Sequence, residues 1–377
     1  MLYRYIILII LAITVLRAKD DTFAKRVSAL EGRHFILGFM QNEIEGPLDS
    51  LILDVFITSR DVTNVTIEDP HTGIRTLTTA PNKIHSVRMS PYLENKESEI
   101  IRKNLFVIKS EKPISVFTFN SRKVTSDSYT AVPVSRWGTE YVAITMPNDQ
   151  YAMQSGMDSI KNAQPRRSQF LLLSAYDSTW ITYTPTTMTD KGKSAGVERK
   201  VLLMKGDCYL VQSYKYPMGQ GDLSGTIIKG NKPFGVISGH VRTSVPQGMP
   251  NPLDSKDHLA DMLMPVPNWG TKFATAPFGL NTTGDYFKVT AYYENTVLNY
   301  YNADGSGTVP LDSPGDYAKI ESVNYPTYWE SNKPVQLAQL MMHNGYYGDT
   351  EYDPSLVTIP PVEQYIQKVT ICTQGHD

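Results

Sequence analysis

The residues best able to do chemistry lie between positions 240 and 261. His240, Asp257, His258 and Asp261 combine two imidazoles with two carboxylates. Such a set can bind a metal ion or act as a general acid and base. His258 lies across a long loop from His240, however, and single histidines in β-rich proteins mostly pack or form hydrogen bonds. The sequence therefore predicts no catalytic residue, no metal ligand and no cofactor, and leaves His240, Asp257 and His258 as a weak candidate site.

Standard catalytic motifs are absent from the sequence. The zinc-protease helix, the phosphate-binding loop, the dinucleotide glycine fingerprint and the Gly-X-Ser-X-Gly elbow do not occur. Residues 302–306 (NADGS) resemble part of a calcium loop but lack its later glutamate, so a tight turn is predicted. Trp137 and Trp269 both stand before Gly-Thr, and this shared context favours packing in the core over ligand binding.

Charge and hydrophobicity restrict the location and the partners. The chain has 36 basic and 38 acidic side chains and no basic cluster, which argues against a nucleic-acid partner. Residues 1–18 are predicted to be a secretory signal peptide, in which Arg4 precedes an apolar run from Tyr5 to Leu16. That run is shorter than the about 20 apolar residues of a membrane-spanning helix. We therefore expect a secreted, extracellular protein without a membrane anchor.

Two cysteines and two glycosylation sequences fit that location. Cys208 and Cys372 are too few for a disulfide framework, and they can pair with each other or with another chain. Asn64 and Asn281 each begin an Asn-X-Thr tripeptide and are predicted glycosylation sites. Asn64 alternates with apolar residues and is expected to point outward.

One strand-turn-strand block occurs three times. Residues 168–183 (SQFLLLSAYDSTWITY) align without a gap with residues 285–300 (DYFKVTAYYENTVLNY), and the block also fits residues 53–67 (LDVFITSRDVTNVTI). The alignment makes Thr63, Thr179 and Thr296 equivalent. Apolar and polar residues alternate with the period of two that is typical of half-buried strands.

Two further elements recur after each block. A Lys-Pro pair precedes an apolar stretch in all three copies, and it predicts a turn or the start of a strand, because proline fixes φ and donates no hydrogen bond. An apolar-Pro-Val stretch leads into Trp-Gly in two copies, and the third keeps only residues 359–362 (IPPV). The residues of these structural motifs are Pro113, Pro233, Pro334, Trp137, Gly138, Trp269 and Gly270.

The repeats predict an all-β protein of three tandem, divergent β-sandwich-like units. The alternative is a single six-bladed β-propeller in which each repeat supplies two four-stranded blades. The predicted segments are the signal peptide (1–18), repeat 1 (25–149), an exposed linker loop (150–167), repeat 2 (168–280) and repeat 3 (284–372).

Four stretches form an ordered set along the chain. They are residues 111–122 (EKPISVFTFNSR), 126–141 (SDSYTAVPVSRWGTEY), 223–240 (LSGTIIKGNKPFGVISGH) and 257–273 (DHLADMLMPVPNWGTKF). Together they resemble the N-terminal domain of the IgG Fc-binding protein family. Members of that family usually carry a cysteine pair in the loop equivalent to residues 241–256, where this chain has none. The resemblance implies a secreted binding protein but assigns no ligand-binding residue, because a shared fold does not transmit a ligand.

We therefore expect a secreted, non-enzymatic extracellular protein that binds a protein or a glycoconjugate, or serves as a structural module of matrix or mucus. The alternative is a secreted carbohydrate-active or other hydrolytic protein on an all-β scaffold. Carboxylates converging in one cleft would favour the hydrolase. Tyrosine-rich sheet faces would favour binding, and residues 286–365 contain twelve tyrosines.

Overall fold

The computed structural model describes residues 30–43, 51–149, 165–247, 255–278, 284–343 and 353–365. These residues form β-strands joined by turns and single-turn 3₁₀ helices, which confirms the predicted all-β class. Across the described ranges, no helix has the length and apolar character that a bilayer crossing requires.

The strands lie in three successive regions of the chain. The first region contains β1 (Gly32–Leu37), β2 (Phe39–Met40), β3 (Ile52–Ser59), β4 (Thr63–Asp69), β5 (Gly73–Thr79), β6 (Ile84–Arg88), β7 (Glu94–Asn95), β8 (Ile101–Arg102), β9 (Phe106–Arg122) and β10 (Thr125–Thr130). The second contains β11 (Gly138–Val142), β12 (Ser168–Ser174), β13 (Thr179–Thr184), β14 (Arg199–Leu203), β15 (Cys208–Gln212), β16 (Ile227–Thr243) and β17 (Asp257–Met262). The third contains β18 (Gly270–Thr275), β19 (Asp285–Ala291), β20 (Thr296–Asn302), β21 (Gly305–Leu311), β22 (Tyr317–Val323), β23 (Thr327–Met341) and β24 (Ser355–Thr358).

One strand order occurs in all three main sheets. The first sheet runs β5-β4-β9-β3-β6, the second β14-β13-β16-β12-β15 and the third β21-β20-β23-β19-β22. The long central strand of each sheet pairs with two more strands, which are β1 and β10, β11 and β17, and β18 and β24. The short strand β8 of the first region extends the second sheet at β15. β2 and β7 form a separate parallel pair.

Each long strand changes partners along its length. The first half of β9 pairs with β1 and β4, and its second half pairs with β3 and β10. The sheet therefore curls into two layers, β5-β4-β9-β1 and β10-β9-β3-β6, that share β9. Each unit is thus one curled sheet built around its long strand, whereas the blades of a propeller would be separate four-stranded sheets, and the sandwich-like packing stays a prediction.

The Lys-Pro pairs lie inside the long strands. Pro113, Pro233 and Pro334 fall within β9, β16 and β23, so the predicted turn or strand start at these positions is wrong. In β9, pairing with β4 ends at Ser110 and pairing with β3 begins at Ile114. Proline is accommodated where the partner changes, because no ladder hydrogen bond from its nitrogen is needed there.

Alternation decides which side chains enter the core. Leu53, Val55 and Ile57 of β3 are fully buried, and the residues between them are partly exposed. The first residues of β4, β13 and β20 are Thr63, Thr179 and Thr296, and all three are buried, as the repeat alignment predicts.

The ungapped alignment is off by one residue in the first strand of copy 1. It matches Val55 with Leu171. In the structure, Val55 and Ile57 face the interior of the first sheet, and the residues that face the interior of the second sheet are Phe170 and Leu172. The hairpin between β3 and β4 is one residue shorter than its counterpart, since Ser59 and Ser174 pair with equivalent positions of the long strands. A one-residue shift exchanges the two faces of a strand.

The three units pack into one body. All seven residues of β12 and of β19 are buried, which a strand facing water on one side would not show. Leu171 and Leu173 join the hydrophobic cluster of the first unit, and Tyr286 of β19 joins that of the second.

A glycine begins the first strand of each unit and lies against a proline that follows the unit's last strand. A Cβ atom at the glycine would lie within 2.5 Å of the proline Cβ, so no side chain fits. The pairs are Gly32 with Pro133, Gly138 with Pro265 and Gly270 with Pro361. β11 and β18 accordingly hydrogen-bond into the second and third sheets, although the predicted segments put residues 138–149 in repeat 1 and 270–280 in repeat 2. β11 pairs with β16 and β18 pairs with β23, and the spacing of motifs along the sequence does not reveal pairing over such distances.

Candidate functional site

The two histidines of the sequence-predicted site lie on neighbouring strands. His240 is in β16 and pairs with Leu259, the residue that follows His258 in β17. Both side chains are completely buried. The register of β16 with β17 therefore brings together two residues that the sequence separates by a long loop.

Each imidazole is held by the backbone. His240 Nδ1 accepts a hydrogen bond from the backbone N–H of Arg242 (3.1 Å), and His258 Nδ1 donates to the carbonyl of Val241 (3.1 Å). Burial lowers the pKa of His240 to about 3 and that of His258 to about 4. Both rings are therefore neutral at physiological pH, because an apolar interior disfavours the imidazolium form.

Asp257 does not join the histidines. It precedes His258 in β17, and successive residues of a strand point to opposite faces. Its carboxylate accepts hydrogen bonds from the backbone N–H groups of Ser126 and His258, and burial raises its pKa to about 7. The three candidate residues thus form no acid-base pair.

Carboxylates join the last strands of the three units. Asp127 of β10 accepts a hydrogen bond from the backbone N–H of Ala260 in β17 (2.9 Å). Asp261 of β17 accepts from the backbone N–H (2.7 Å) and hydroxyl (2.6 Å) of Thr358 in β24. Burial raises the pKa of Asp127 well above its ordinary value and that of Asp261 to about 6. These acids act as connectors between strands.

A buried ion cluster joins the first two units. Arg166 donates to both carboxylate oxygens of Glu43, at 2.7 to 3.1 Å, and Arg242 donates to one of them at 2.9 Å. Most of the predicted linker 150–167 lies outside the described residues. Its described end is not exposed: Arg166 is buried against Glu43, and Arg167 pairs with Asp190. That part of the prediction is wrong because both arginines have acidic partners.

Glu99 makes a second connection between these units. Its backbone N–H donates to the carbonyl of Leu210 (2.6 Å), and its carboxylate pairs with Lys193 (2.8 Å). The same carboxylate accepts from the Thr189 hydroxyl and the Lys191 backbone N–H, each at 2.8 Å. These donors lower the pKa of Glu99 against the opposing effect of burial.

Lys288 connects the second and third units. Its fully buried ammonium donates to the Thr145 carbonyl (2.6 Å), the Asp222 carboxylate (2.7 Å) and the Ser224 hydroxyl (2.8 Å). It also lies 4.9 Å from the centroid of the Tyr317 ring. An ammonium group has three donors, and all three are used here.

A cavity of about 500 Å³ lies beside Asp261, lined mainly by the second and third units and also by Leu30, Thr130 and Val132 of the first. Its walls are mainly apolar and include Met262, Trp269, Phe273 and Val335. Asp261 is the one carboxylate among the lining residues that the structure describes. The volume and the lining are typical of small-molecule sites.

The tryptophans of the Trp-Gly motifs are buried, as predicted. Trp137 Nε1 donates to the carbonyl of Val132 (3.0 Å), and Trp269 Nε1 donates to that of Met264 (3.1 Å). Each follows a single-turn 3₁₀ helix, Val134–Arg136 or Val266–Asn268. In the third copy Tyr365 follows the equivalent helix, Val362–Gln364, so a tyrosine replaces the missing tryptophan.

The remaining predicted residues have varied placements. Asn64 is exposed on β4, and Asn281 lies outside the described residues. Cys208 is buried, and its thiol donates to the side-chain Oδ1 of Asn95 (3.1 Å) and the backbone carbonyl of Arg102 (3.3 Å). Cys372 lies outside the described residues, so the disulfide stays a prediction. Asn302 and Gly305 close a tight turn, as predicted.

Sequence reasoning missed Lys288 and the cavity. A signal for Lys288 was present, because the repeat alignment places this lysine opposite Leu171 within an apolar strand. Its partner Asp222 lies in a loop and carries no comparable signal. The cavity depends on side-chain volumes in five separate strands.

Comparison with known proteins identifies relatives. The sequence model of the family described as IgGFc binding protein matches residues 127–377. The human IgGFc-binding protein is 25% identical over 293 residues, which cover 77% of this chain and 5% of that protein. The chain therefore spans a small part of this relative's length.

Solved structures give only distant likeness. An Antarctic bacterial adhesin described as Ca²⁺-stabilised and ice-binding is 9% identical, with 89% of this chain and 74% of that chain covered and a TM-score of 0.14. A variant of the major pilin of Streptococcus pyogenes is 11% identical, with 86% and 97% covered and a TM-score of 0.15. The family match, by contrast, extends over the second and third sheets and the end of the first, and so the chain belongs to the IgGFc-binding protein family.

Proposed function

We propose that this chain is a secreted, non-enzymatic extracellular module that binds a protein or glycoconjugate partner in matrix or mucus. Family membership supports a binding role. The observation that carries the non-enzymatic part is the use of the candidate acids and histidines: Asp127, Asp257 and Asp261 accept hydrogen bonds from neighbouring strands, and His240 and His258 are buried and neutral.

The hydrolase alternative is less well supported. Glycoside hydrolysis usually needs two carboxyl groups on opposite sides of an open cleft. The cavity has a single carboxylate among its described lining residues, and both oxygens of Asp261 accept backbone N–H groups, from Met262 and Thr358. The raised pKa of Asp261 results from burial between strands, where its carboxylate connects the second and third units.

Exposed aromatic residues provide a surface for a partner. Tyr301 of β20 and Tyr328 of β23 are cross-strand neighbours on the third sheet, with ring centroids 6.4 Å apart and nearly parallel planes. They are 47% and 39% exposed. Tyrosine is enriched where proteins contact their partners, because it combines a large apolar ring with a hydroxyl group.

The relative's name supplies one partner to test, the Fc region of IgG. The full-length chain would be secreted from cultured cells, immobilised, and exposed to purified Fc and to a glycan array. We expect saturable binding to Fc or to a defined glycan class, and weaker binding by Tyr301→Ala and Tyr328→Ala. Tyr92→Ala is the matched control, since Tyr92 is 63% exposed but lies in the first unit.

Two results would contradict the proposal. The first is retention of the chain inside the cell with residues 1–18 uncleaved. The second is turnover of a glycan that Asp261→Asn abolishes, which would establish the hydrolase alternative. Removal of N-glycans by a glycosidase, followed by mass spectrometry, tests Asn64 and Asn281 separately.

A further inference from the structure

The equivalent position in the second unit is occupied by large side chains. The rings of Tyr141 and Phe234 lie 5.0 Å apart, and the Tyr141 hydroxyl donates to the Phe234 carbonyl (2.7 Å). The ring of Trp137 lies directly over Gly235, where a Cβ atom would approach it to 2.8 Å. The second unit thus has a phenyl ring beside Tyr141 and, in a neighbouring cluster, a tryptophan ring packed on a glycine.

The third unit has smaller or differently shaped residues at the same positions. Gly138 pairs with Phe234 in the second sheet, and Gly270 pairs with Val335 in the third, so Val335 replaces Phe234. By the same register Gln336 replaces Gly235. A phenyl ring is lost beside Phe273, and the Gln336 side chain prevents the close approach of a tryptophan ring.

These replacements account for the cavity. Its lining includes the third-unit counterparts of the residues just described, which are Trp269, Phe273, Val335 and Gln336. The amide of Gln336 donates to the Val142 carbonyl at 3.3 Å and so is engaged with the second unit. The walls therefore offer large apolar surface and few unengaged polar groups.

The cavity also has an accessible edge. Val357 and Tyr365 line it and are 39% and 46% exposed. Asp261 is the charged group among the described lining residues, and it disfavours an anionic ligand. We propose that this cavity is a binding site for a small, uncharged and mainly apolar molecule, a role separate from the partner-binding role of the module.

The test uses the full-length secreted chain and N-phenyl-1-naphthylamine, an uncharged apolar dye whose fluorescence rises in apolar surroundings. We expect saturable binding of one dye per chain. Val335→Phe restores the ring found in the second unit, and we expect it to weaken dye binding by about tenfold or more, because the ring occupies the volume that the dye needs. Val62→Phe is the matched control and should bind as wild type, since Val62 is 57% exposed in the first unit.

Val335→Leu adds less volume and provides a second variant in case Val335→Phe does not fold, as judged by circular dichroism and thermal unfolding. We expect Val335→Leu to bind the dye more weakly than wild type. The proposal is overturned if the dye does not bind saturably, or if every folded variant at position 335 binds it as wild type does. Tighter binding of the anionic analogue 1-anilinonaphthalene-8-sulfonate would overturn the assignment to an uncharged ligand.

Discussion

The junction between the first and second units differs from the junction between the second and third. Glu43 and Glu99 form the first junction, and each carboxylate has several hydrogen-bond partners. Both residues have left-handed backbone conformations, with φ angles of 66° and 59°. At the second junction, Lys288 is a single buried cation with Asp222 as its acidic partner. A connection shared among several groups tolerates the loss of one, whereas a single buried pair does not. The two junctions should therefore respond differently to single substitutions.

The largest effect is expected for Lys288→Met. Removal of the ammonium leaves the Asp222 carboxylate buried without its counter-ion, which we expect to lower the free energy of unfolding by about 3–5 kcal/mol. Urea denaturation measures the change. The double variant Lys288→Met with Asp222→Leu should regain most of the loss, because neither charge remains. Equal instability of the single and double variants would mean that the pair does not determine this junction.

Substitution of the two tryptophans of the Trp-Gly motifs compares side-chain packing at these two junctions. Trp137→Ala should cost about 3–5 kcal/mol, because its ring is packed against Gly235. Trp269→Ala should cost about 2 kcal/mol, since one side of that ring faces the cavity and makes fewer contacts. Thermal unfolding of both variants gives the difference. A larger loss for Trp269 than for Trp137 would contradict the description of the third unit as the less tightly packed.

The neutral histidines of the second unit make the folded chain sensitive to acid. The pKa of His258 is about 4 in the folded chain, below its ordinary value, so the unfolded chain binds more protons between these two values. Stability due to this group is therefore lost as pH falls from about 6.5 to about 4, by roughly 3 kcal/mol. As pH falls over this range, the free energy of unfolding of His258→Gln should rise by that amount relative to wild type. Urea denaturation at each pH measures the difference. His240, Asp257 and Asp261 titrate in both proteins, so most of their effect cancels in the difference, and a difference that does not change with pH would disprove the assignment.

The smallest effect is expected for Glu99→Gln. Glutamine can still accept hydrogen bonds from Thr189 and the Lys191 backbone, and Lys193 is exposed enough to be hydrated. We expect a loss of about 1–2 kcal/mol, because glutamine keeps two of the hydrogen bonds of the buried carboxylate and the Lys193 ammonium can be hydrated. Urea denaturation beside Lys288→Met gives a direct comparison of the junctions. A loss as large as that of Lys288→Met would show that the partners of Glu99 do not substitute for one another.

The repeating part of the fold could be predicted from the sequence because it depends on local patterns. The alternation at Leu53, Val55 and Ile57 identified a strand, and the shared context of Trp137 and Trp269 indicated burial. Both signals come from neighbouring residues and need no knowledge of which strands pair.

The candidate site could be predicted only in part, because it depends on contacts between units. His240 and His258 were identified as candidates, but the burial that keeps them neutral comes from the packing around two paired strands. The pairing of Lys288 with Asp222 joins residues in separate units, and composition does not indicate that a lysine will be buried there. The exchange of Phe234 for Val335 was visible in the aligned motifs, but its consequence depends on the ring positions around it.

The shared long strand of each unit also determines the order in which the unit can fold during synthesis. β9 follows β1, β3 and β4 in the chain, so the first sheet has no centre until the ribosome has added residue 122. Until then β3 and β4 expose apolar edges, and pairings of such long sequence separation form slowly. The same delay recurs with β16 and β23. Each nascent unit is thus open to incorrect pairing and to chaperones until its longest strand emerges.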